Sequence, residues 1–285
     1  MSAGPALSET RGLDVVLFTS NLLGLEVAAA VAALAEIRSL HVVTTSLPRP
    51  RTALERVKKT YRFAGPPGLI AATRARLPRP FSTAPAPRLA DEVARRIPSA
   101  VHLHYPDLHA PECLSCLRSL RPDLGLVFAC YLLRRTLFAI PRLGTLNLHL
   151  GRPPEFRGSS PGFYELLAGV PEIGVTVHRV DDGLDSGPIL LQRSYPLDVA
   201  PPGDPMRFLG RLQREVLVPA GAAMMAEAVR LEARGEAVEV PQASGGGRPR
   251  PRATWAQQRE LRRVVAVRRA VDSLRKGAVS YETNP

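Results

Sequence analysis

The chain has 285 residues, 45% of them hydrophobic but only 5% aromatic, which allows a sizeable core built from Leu, Val and Ala in one large or two smaller domains. No apolar run reaches the roughly 18 to 20 residues of a membrane span, and "MSAGPALSETRGLD" lacks the basic start and apolar middle of a signal peptide, so no membrane partner and a cytoplasmic location are expected. Three cysteines do not make a disulfide framework, while a net charge of +12 keeps nucleic acid open as a partner.

In chain order, "LDVVLF" (13–18) predicts a strand. "SNLLGLEVAAAVAALAEI" then predicts a helix entered at Ser20 or Asn21, a pair that reads as a helix cap ahead of a phosphate site. "LHVVTTS" is a second strand, and residues 52–97 read as helical and basic, interrupted by "GPPG" and "LPRPF". "SAVHLH" predicts a third strand, followed by a helix over about 110–121 that carries Cys113 and Cys116 near its apolar positions. That C-x-x-C, close to His102, His104 and His109, is a weak metal motif; no second C-x-x-C follows, and buried small hydrophobes are the expected role. "LGLVFAC" predicts a strand, "RRTLFAI" a short helix, and "TLNLH" (145–149) another strand. Alternating strands and helices predict an open α/β sheet, mostly parallel, with its chemistry at the C-terminal strand ends.

In "TLNLHLGRPPEFRG" (145–158), side chains two apart share a face, so Leu146, Leu148 and Leu150 point one way and Asn147 and His149 the other. An amide and an imidazole side by side need partners or a task. Beyond the loop, "PGFYELLAG" predicts a helix, and "IGVTVHRV" and "GPILLQRSYPL" predict a hairpin joined by the acidic "DDGLDS". His178 falls on the polar face of its strand, where a hydrogen-bonded structural role is expected. A long helix follows over about 204–233, then a "SGGGRPRPR" linker and a basic helix. Leu261, Val264, Val267, Val271 and Leu274 are its expected apolar stripe, ringed by Arg262, Arg263, Arg269 and Lys276.

Asn147-x-His149, the following "PEFRG" and "GVTVHRVDDGLDSGPIL" together resemble the folate-dependent formyltransferase family over roughly residues 13–230. That family includes the glycinamide ribonucleotide, methionyl-tRNA and amino-sugar enzymes. The resemblance implies a Rossmann-like formyltransferase fold, 10-formyltetrahydrofolate as formyl donor, no metal, and Asn147, His149 and Asp185 as the catalytic centre. The chemistry suits these residue types. Attack of an amine on a formyl group develops an oxyanion that an Asn147 amide N–H can hold, while a His149 imidazole oriented by Asp185 can take or give a proton near neutral pH. The resemblance also implies folate contacts at Tyr131, Leu132 and Leu133, at Arg157 and Gly158, and across the loop bearing Asp181 and Asp182, two residues that otherwise read as solvated charges. This chain departs from many relatives in having Leu150-Gly151 where they have Pro-Ser, and it lacks the glycines of a phosphate loop beside Ser20-Asn21.

Residues 11–235 are therefore expected to be the catalytic domain, and 236–285 a linker and basic helical C-terminal extension. The expected acceptor is the primary amine of a small molecule: an amino sugar, an amino acid derivative or a glycinamide ribonucleotide-like compound. Methionyl-tRNA is the alternative and tRNA a less favoured partner, because the C-terminal segment does not read as a β-barrel. Hydrolysis of formyltetrahydrofolate is a further alternative. Removal of residues 243–285 is expected to spare transfer to a small molecule. The oligomeric state stays open.

Overall fold

A computed structural model describes residues 12–46, 52–74, 89–243 and 247–282, with side chains up to residue 274. Its seven-stranded sheet has the order β3-β2-β1-β4-β5-β6-β7. The strands are β1 (Leu13–Thr19), β2 (Ile37–Thr45), β3 (Val101–Tyr105), β4 (Leu124–Val127), β5 (Thr145–His149), β6 (Glu172–Arg179) and β7 (Ile189–Pro196). The first five in spatial order pair in parallel, whereas β6 runs antiparallel to β5 and β7 antiparallel to β6. The expected mostly parallel α/β sheet and its terminal hairpin are both present.

The unbroken apolar run of β1 follows from burial on both faces. Val15 and Leu17 join one core, and Val16 and Phe18 join the other. The first core lies under α1 (Gly24–Ala32) and α8 (Val218–Arg234), the second under α4 (Pro111–Leu120) and α5 (Arg135–Phe138). Covering both faces in this way is what a parallel sheet requires. Chain direction diverges between β1 and β4, which opens a crevice at the C-terminal ends of these strands.

Several local expectations change. The first helix starts at Gly24 with Leu23 as its cap residue, and Asn21 Oδ1 instead accepts from Leu23 N (2.9 Å) in the turn before it. Ser20 Oγ donates to the Ala129 carbonyl (2.6 Å) and so ties the end of β1 to that of β4. The expected helix over 204–233 divides into α7 (Pro205–Leu212), a π-helical turn (Gln213–Leu217) and α8. Between α7's first residues and the tail, Asp204 accepts from Met206 N (2.7 Å) and pairs with Arg262 (3.2 Å).

The C-terminal helix, α9 (Trp255–Glu282), buries Leu261 and Val265 in the first core. It packs against α2 (Ala53–Arg74), which bends at Gly65 beside the Trp255 ring. The expected stripe is corrected: Val267 and Leu274 are 64% and 74% exposed, and Val271 is exposed as well. Arg268 turns inward to the carbonyls of Leu166 (2.5 Å) and Leu167 (2.9 Å), so tertiary contacts rather than the helical repeat choose the buried face. Lys276 and "LPRPF" lie outside the described side chains and residues. Among the described residues, no helix is long and apolar enough to cross a membrane.

Candidate active site

A cavity of about 330 Å³ occupies the crevice. Its walls come from Asn21 after β1, residues 127–133 at and after β4, residues 147–150 of β5 and beyond, and the loop after β6. Asn147, His149 and Asp185 all line it, together with His178 and Gln213. Leu146, Leu148 and Leu150 point into the first core, which turns Asn147 and His149 to the cavity as the strand alternation requires.

β5 pairs with β6 so that Asn147 faces His178 and His149 faces Thr176. His178 Nδ1 lies 2.8 Å from the Arg179 carbonyl, which can only accept, so Nδ1 carries the proton and Nε2 is left as an acceptor. Asn147 Nδ2 then donates to His178 Nε2 (3.0 Å) and to Asp185 Oδ1 (3.2 Å), so both amide hydrogens are committed within the cluster. His178 is hydrogen-bonded as expected, but it is part of the constellation rather than remote from it. Its signal in the sequence was a lone imidazole in an apolar strand that pairs with the Asn-x-His strand.

His149 Nε2 donates to the Phe156 carbonyl (2.8 Å), which leaves Nδ1 facing Asp185 Oδ2 at 3.5 Å. Burial pushes the His149 pKa below its ordinary value, only partly opposed by the Asp185 charge and the Phe156 hydrogen bond. Burial alone would raise the Asp185 carboxyl. The neighbouring imidazoles of His178 and His149 and the Gly158 N–H outweigh it and hold Asp185 below the usual carboxylate range. The resting pair at neutral pH is a neutral imidazole beside a carboxylate. Gly151 explains the departure at 150–151: a Cβ there would stand 2.3 Å from His149 Nε2 and 2.6 Å from the Phe156 carbonyl oxygen. Glycine is what lets this histidine make its bond.

Asp185 is presented by a loop under tension, with its own backbone in the left-handed region (φ 51°). Asp181 Oδ1 accepts from Gly183 N (3.1 Å) and Ser186 Oγ (2.8 Å), which folds the loop on itself and keeps Asp181 at the cavity wall. Asp182 stands outside the cavity lining, its side chain is 60% exposed, and it pairs with Arg135. Tyr131, Leu132 and Leu133 all line the cavity. The Tyr131 hydroxyl accepts from Leu108 N (2.7 Å), and Leu133 is buried in the second core, so these side chains anchor the segment from behind.

Gly158 lines the cavity and donates its N–H to Asp185 Oδ2 (2.8 Å). Arg157 instead lines a small pocket behind His149, where its Nε donates to the Pro154 carbonyl (3.2 Å). Glu165, on α6 (Phe163–Ala168), is buried at the same pocket. Burial drives its carboxyl up to about 7, against the pull of backbone N–H groups and of Arg250. The metal motif is not assembled: His102 Nε2 and His104 Nδ1 bond to Thr44 Oγ1 (2.8 and 3.0 Å), and His109 Nε2 accepts from Arg134 N (3.0 Å). Among the described residues, no group of three or more His, Cys, Asp or Glu could hold a metal ion.

Sequence reasoning did not single out Gln213, Gln242 or Arg250. Gln242 Nε2 donates to the carbonyls of Asp185 (2.9 Å) and Gly187 (2.8 Å). Arg250 forms a bridge with Gly158, and its guanidinium lies over the Phe156 and Tyr164 rings. The segment expected as a linker is thus attached to both loops that carry the constellation.

Residues 78–207 match the formyl transferase family model. This stretch, a little under half of the chain, is similar to that family. The chain is 42% identical over 137 residues to methionyl-tRNA formyltransferase of Chloroflexus aggregans, a match covering 47% of this chain and 42% of that protein. The corresponding enzyme of Aromatoleum aromaticum is 36% identical over 141 residues, covering 49% of this chain and 42% of that one. The chain matches about two fifths of the length of these relatives. Glycinamide ribonucleotide transformylase 1 from Symbiobacterium toebii shares the fold at 22% identity, with a TM-score of 0.53 over 85% of this chain and 100% of that one. A sugar 3N-formyl transferase, solved in the presence of dTDP and 5-N-formyl-THF, shares it at 11% identity, with a TM-score of 0.53 over 84% of this chain and 70% of that one. The matched stretch contains every residue of the Asn147, His149, His178 and Asp185 cluster, while Gln213, Gln242 and Arg250 lie beyond it.

Proposed function

We propose that the chain transfers a formyl group from 10-formyltetrahydrofolate to the primary amine of a small molecule. The observation that carries the reading is the convergence of Asn147, His149 and Asp185, all within the matched stretch, at one cavity. Catalytic roles for these three residues are part of the proposal, as is a cytoplasmic setting.

The cavity suits a folate. Its volume lies at the lower end of the range for small-molecule sites, and it combines apolar residues at Ala129, Leu132 and Leu184 with a polar cluster. Tyr131, Leu132, Leu133, Gly158 and Asp181 would hold the donor there, with Arg157 bracing the loop from behind. When bound, the donor supplies an activated one-carbon group at the formyl oxidation level.

Asn147 is the residue to hold the formyl oxygen. Of its two amide bonds, the longer one, to Asp185 Oδ1 (3.2 Å), is the one to be redirected, while His178 Nε2 (3.0 Å) keeps the amide oriented. An oxyanion donor of this kind is worth on the order of 3 kcal/mol. His149 Nδ1, with its lone pair facing Asp185, is the site to receive the proton released as the amine attacks. The resulting imidazolium would pair with the carboxylate at 3.5 Å and return the proton to the folate N10 as the formyl–N10 bond breaks and tetrahydrofolate leaves.

Methionyl-tRNA as acceptor is the second reading, favoured by the 42% identity to the Chloroflexus aggregans enzyme. A donor assay separates the two. Tetrahydrofolate release that depends on a pool of small amines supports the first reading, and release that depends on methionyl-tRNA supports the second. Release in the absence of any amine indicates hydrolysis and refutes both.

A further inference from the structure

Asp185 and Gly158 are held together by one hydrogen bond, but each also depends on a segment outside the matched stretch. At the β7 side, Val240 and Ile189 exchange two backbone hydrogen bonds (Ile189 N to Val240 O, 2.8 Å; Val240 N to Ile189 O, 2.9 Å). This pairing places Gln242 against the loop that presents Asp185. The carbonyls of Asp185 and Gly187 converge on the Gln242 amide nitrogen, which donates to both. The amide cannot be turned over, because its oxygen would then face two carbonyl oxygens. Among the described residues Gln242 Oε1 is buried with no hydrogen-bond partner, a cost accepted so that Nε2 can make its two bonds.

At the other loop, Arg250 N donates to the Arg157 carbonyl (2.9 Å) and its own carbonyl accepts from Ser159 N (2.9 Å). Gly158 lies between these bonds, and its N–H is the one that meets Asp185 Oδ2 (2.8 Å). The Tyr164 hydroxyl also donates to the Pro251 carbonyl (2.7 Å), and Ala253 N donates to Ser160 Oγ (3.0 Å). A loop residue in the left-handed region needs its surroundings to hold it there. For Asp185, its main-chain carbonyl is fixed by Gln242 and its carboxylate by Gly158, whose loop Arg250 fixes in turn.

We propose that Gln242 is a positioning residue for Asp185, acting with the Arg250 bridge as a brace that sets the distance between the Asp185 carboxylate and His149. The inference rests on the function proposed above only for its effect on turnover; its effect on His149 stands without it.

The test uses the full-length chain with Gln242→Met, which keeps the length of the side chain and removes its donors, and Gln242→Glu, which keeps the shape and replaces the amide nitrogen with oxygen. The His149 imidazole is titrated by NMR in the wild type, in both variants and in Asp185→Asn. With the brace lost, the Asp185 charge moves off and the His149 midpoint falls toward that of Asp185→Asn. Turnover should fall on the order of 10- to 100-fold in kcat, with KM for the amine unchanged, as expected when a reacting group is displaced by about 1 Å. A wild-type His149 midpoint in a folded variant overturns the proposal, whatever happens to kcat. If the wild type transfers no formyl group, the proposed function fails, and the His149 titration still decides the role of Gln242.

Discussion

Gly158 donates its backbone N–H to Asp185 Oδ2 at 2.8 Å, joining the loop after β5 to the loop after β6 at the point where both meet His149. Residues 27 positions apart are fixed in this way without any side chain at position 158. A Cβ there would stand 2.2 Å from the Arg250 carbonyl oxygen, and the backbone has φ +102°. Gly158→Ala should therefore cost on the order of 1–3 kcal/mol in strain and displace the Arg250 bridge. A lowered melting temperature together with reduced turnover is the expected outcome. Unchanged values of both would show that this close approach is not required.

Asn147 carries the most specific chemical role. Asn147→Ala removes the donor to the formyl oxygen and should lower kcat by on the order of 10²- to 10³-fold, with folate binding retained. Equilibrium binding of the folate, measured beside turnover, separates a catalytic loss from a lost site. A variant with full turnover would remove Asn147 from the mechanism.

Asp182 was expected beside the folate, yet it is an exposed partner of the equally exposed Arg135. Exposed pairs of this kind contribute about 0–1 kcal/mol. Asp182→Ala should leave folate affinity and the melting temperature close to wild type, which a binding titration and a thermal melt would check.

Glu165 gives a pH signature of the opposite sign to the usual carboxylate. Its folded pKa is raised from 4.5 to about 7, so between those values the folded state binds more protons than the unfolded chain. Its contribution to stability is complete at low pH and is lost as pH rises through about 7, a change of up to about 3 kcal/mol. His149 and Asp185, both lowered, act in the other direction and lose stability as pH falls. Urea unfolding at pH 5 and pH 8 should show Glu165→Gln gaining stability relative to wild type at the higher pH. An equal difference at both pH values would show that Glu165 does not titrate there.

Much of this architecture was legible because the strands are buried on both faces and declare themselves as apolar runs, as β1 does with Val15 to Phe18. Asn147 and His149 were legible because strand alternation puts them on one face, and Asp185 because its loop motif resembles a family pattern. Other features depend on contacts that no local pattern encodes. Gln242 reaches its carbonyls across 55 and 57 residues, and Arg250 reaches Gly158 through backbone atoms, for which any residue would look alike in sequence. On α9 the helical repeat allowed several stripes, and packing selected Leu261 and Val265 over Val267 and Leu274. Within 236–253 the attachments are likewise made through backbone atoms, by Val240 to Ile189 and by Arg250 to Gly158. Removing residues 243–285 would take away the Arg250 bridge, so loss of turnover replaces the expectation that small-molecule transfer is spared.

The most direct measurement is release of tetrahydrofolate from 10-formyltetrahydrofolate by the purified full-length chain, with and without pools of small primary amines and methionyl-tRNA, beside the Asn147→Ala variant. We expect release that requires a small amine and is lost in the variant. A chain that binds no folate, or that releases tetrahydrofolate equally well without any amine, would contradict the account.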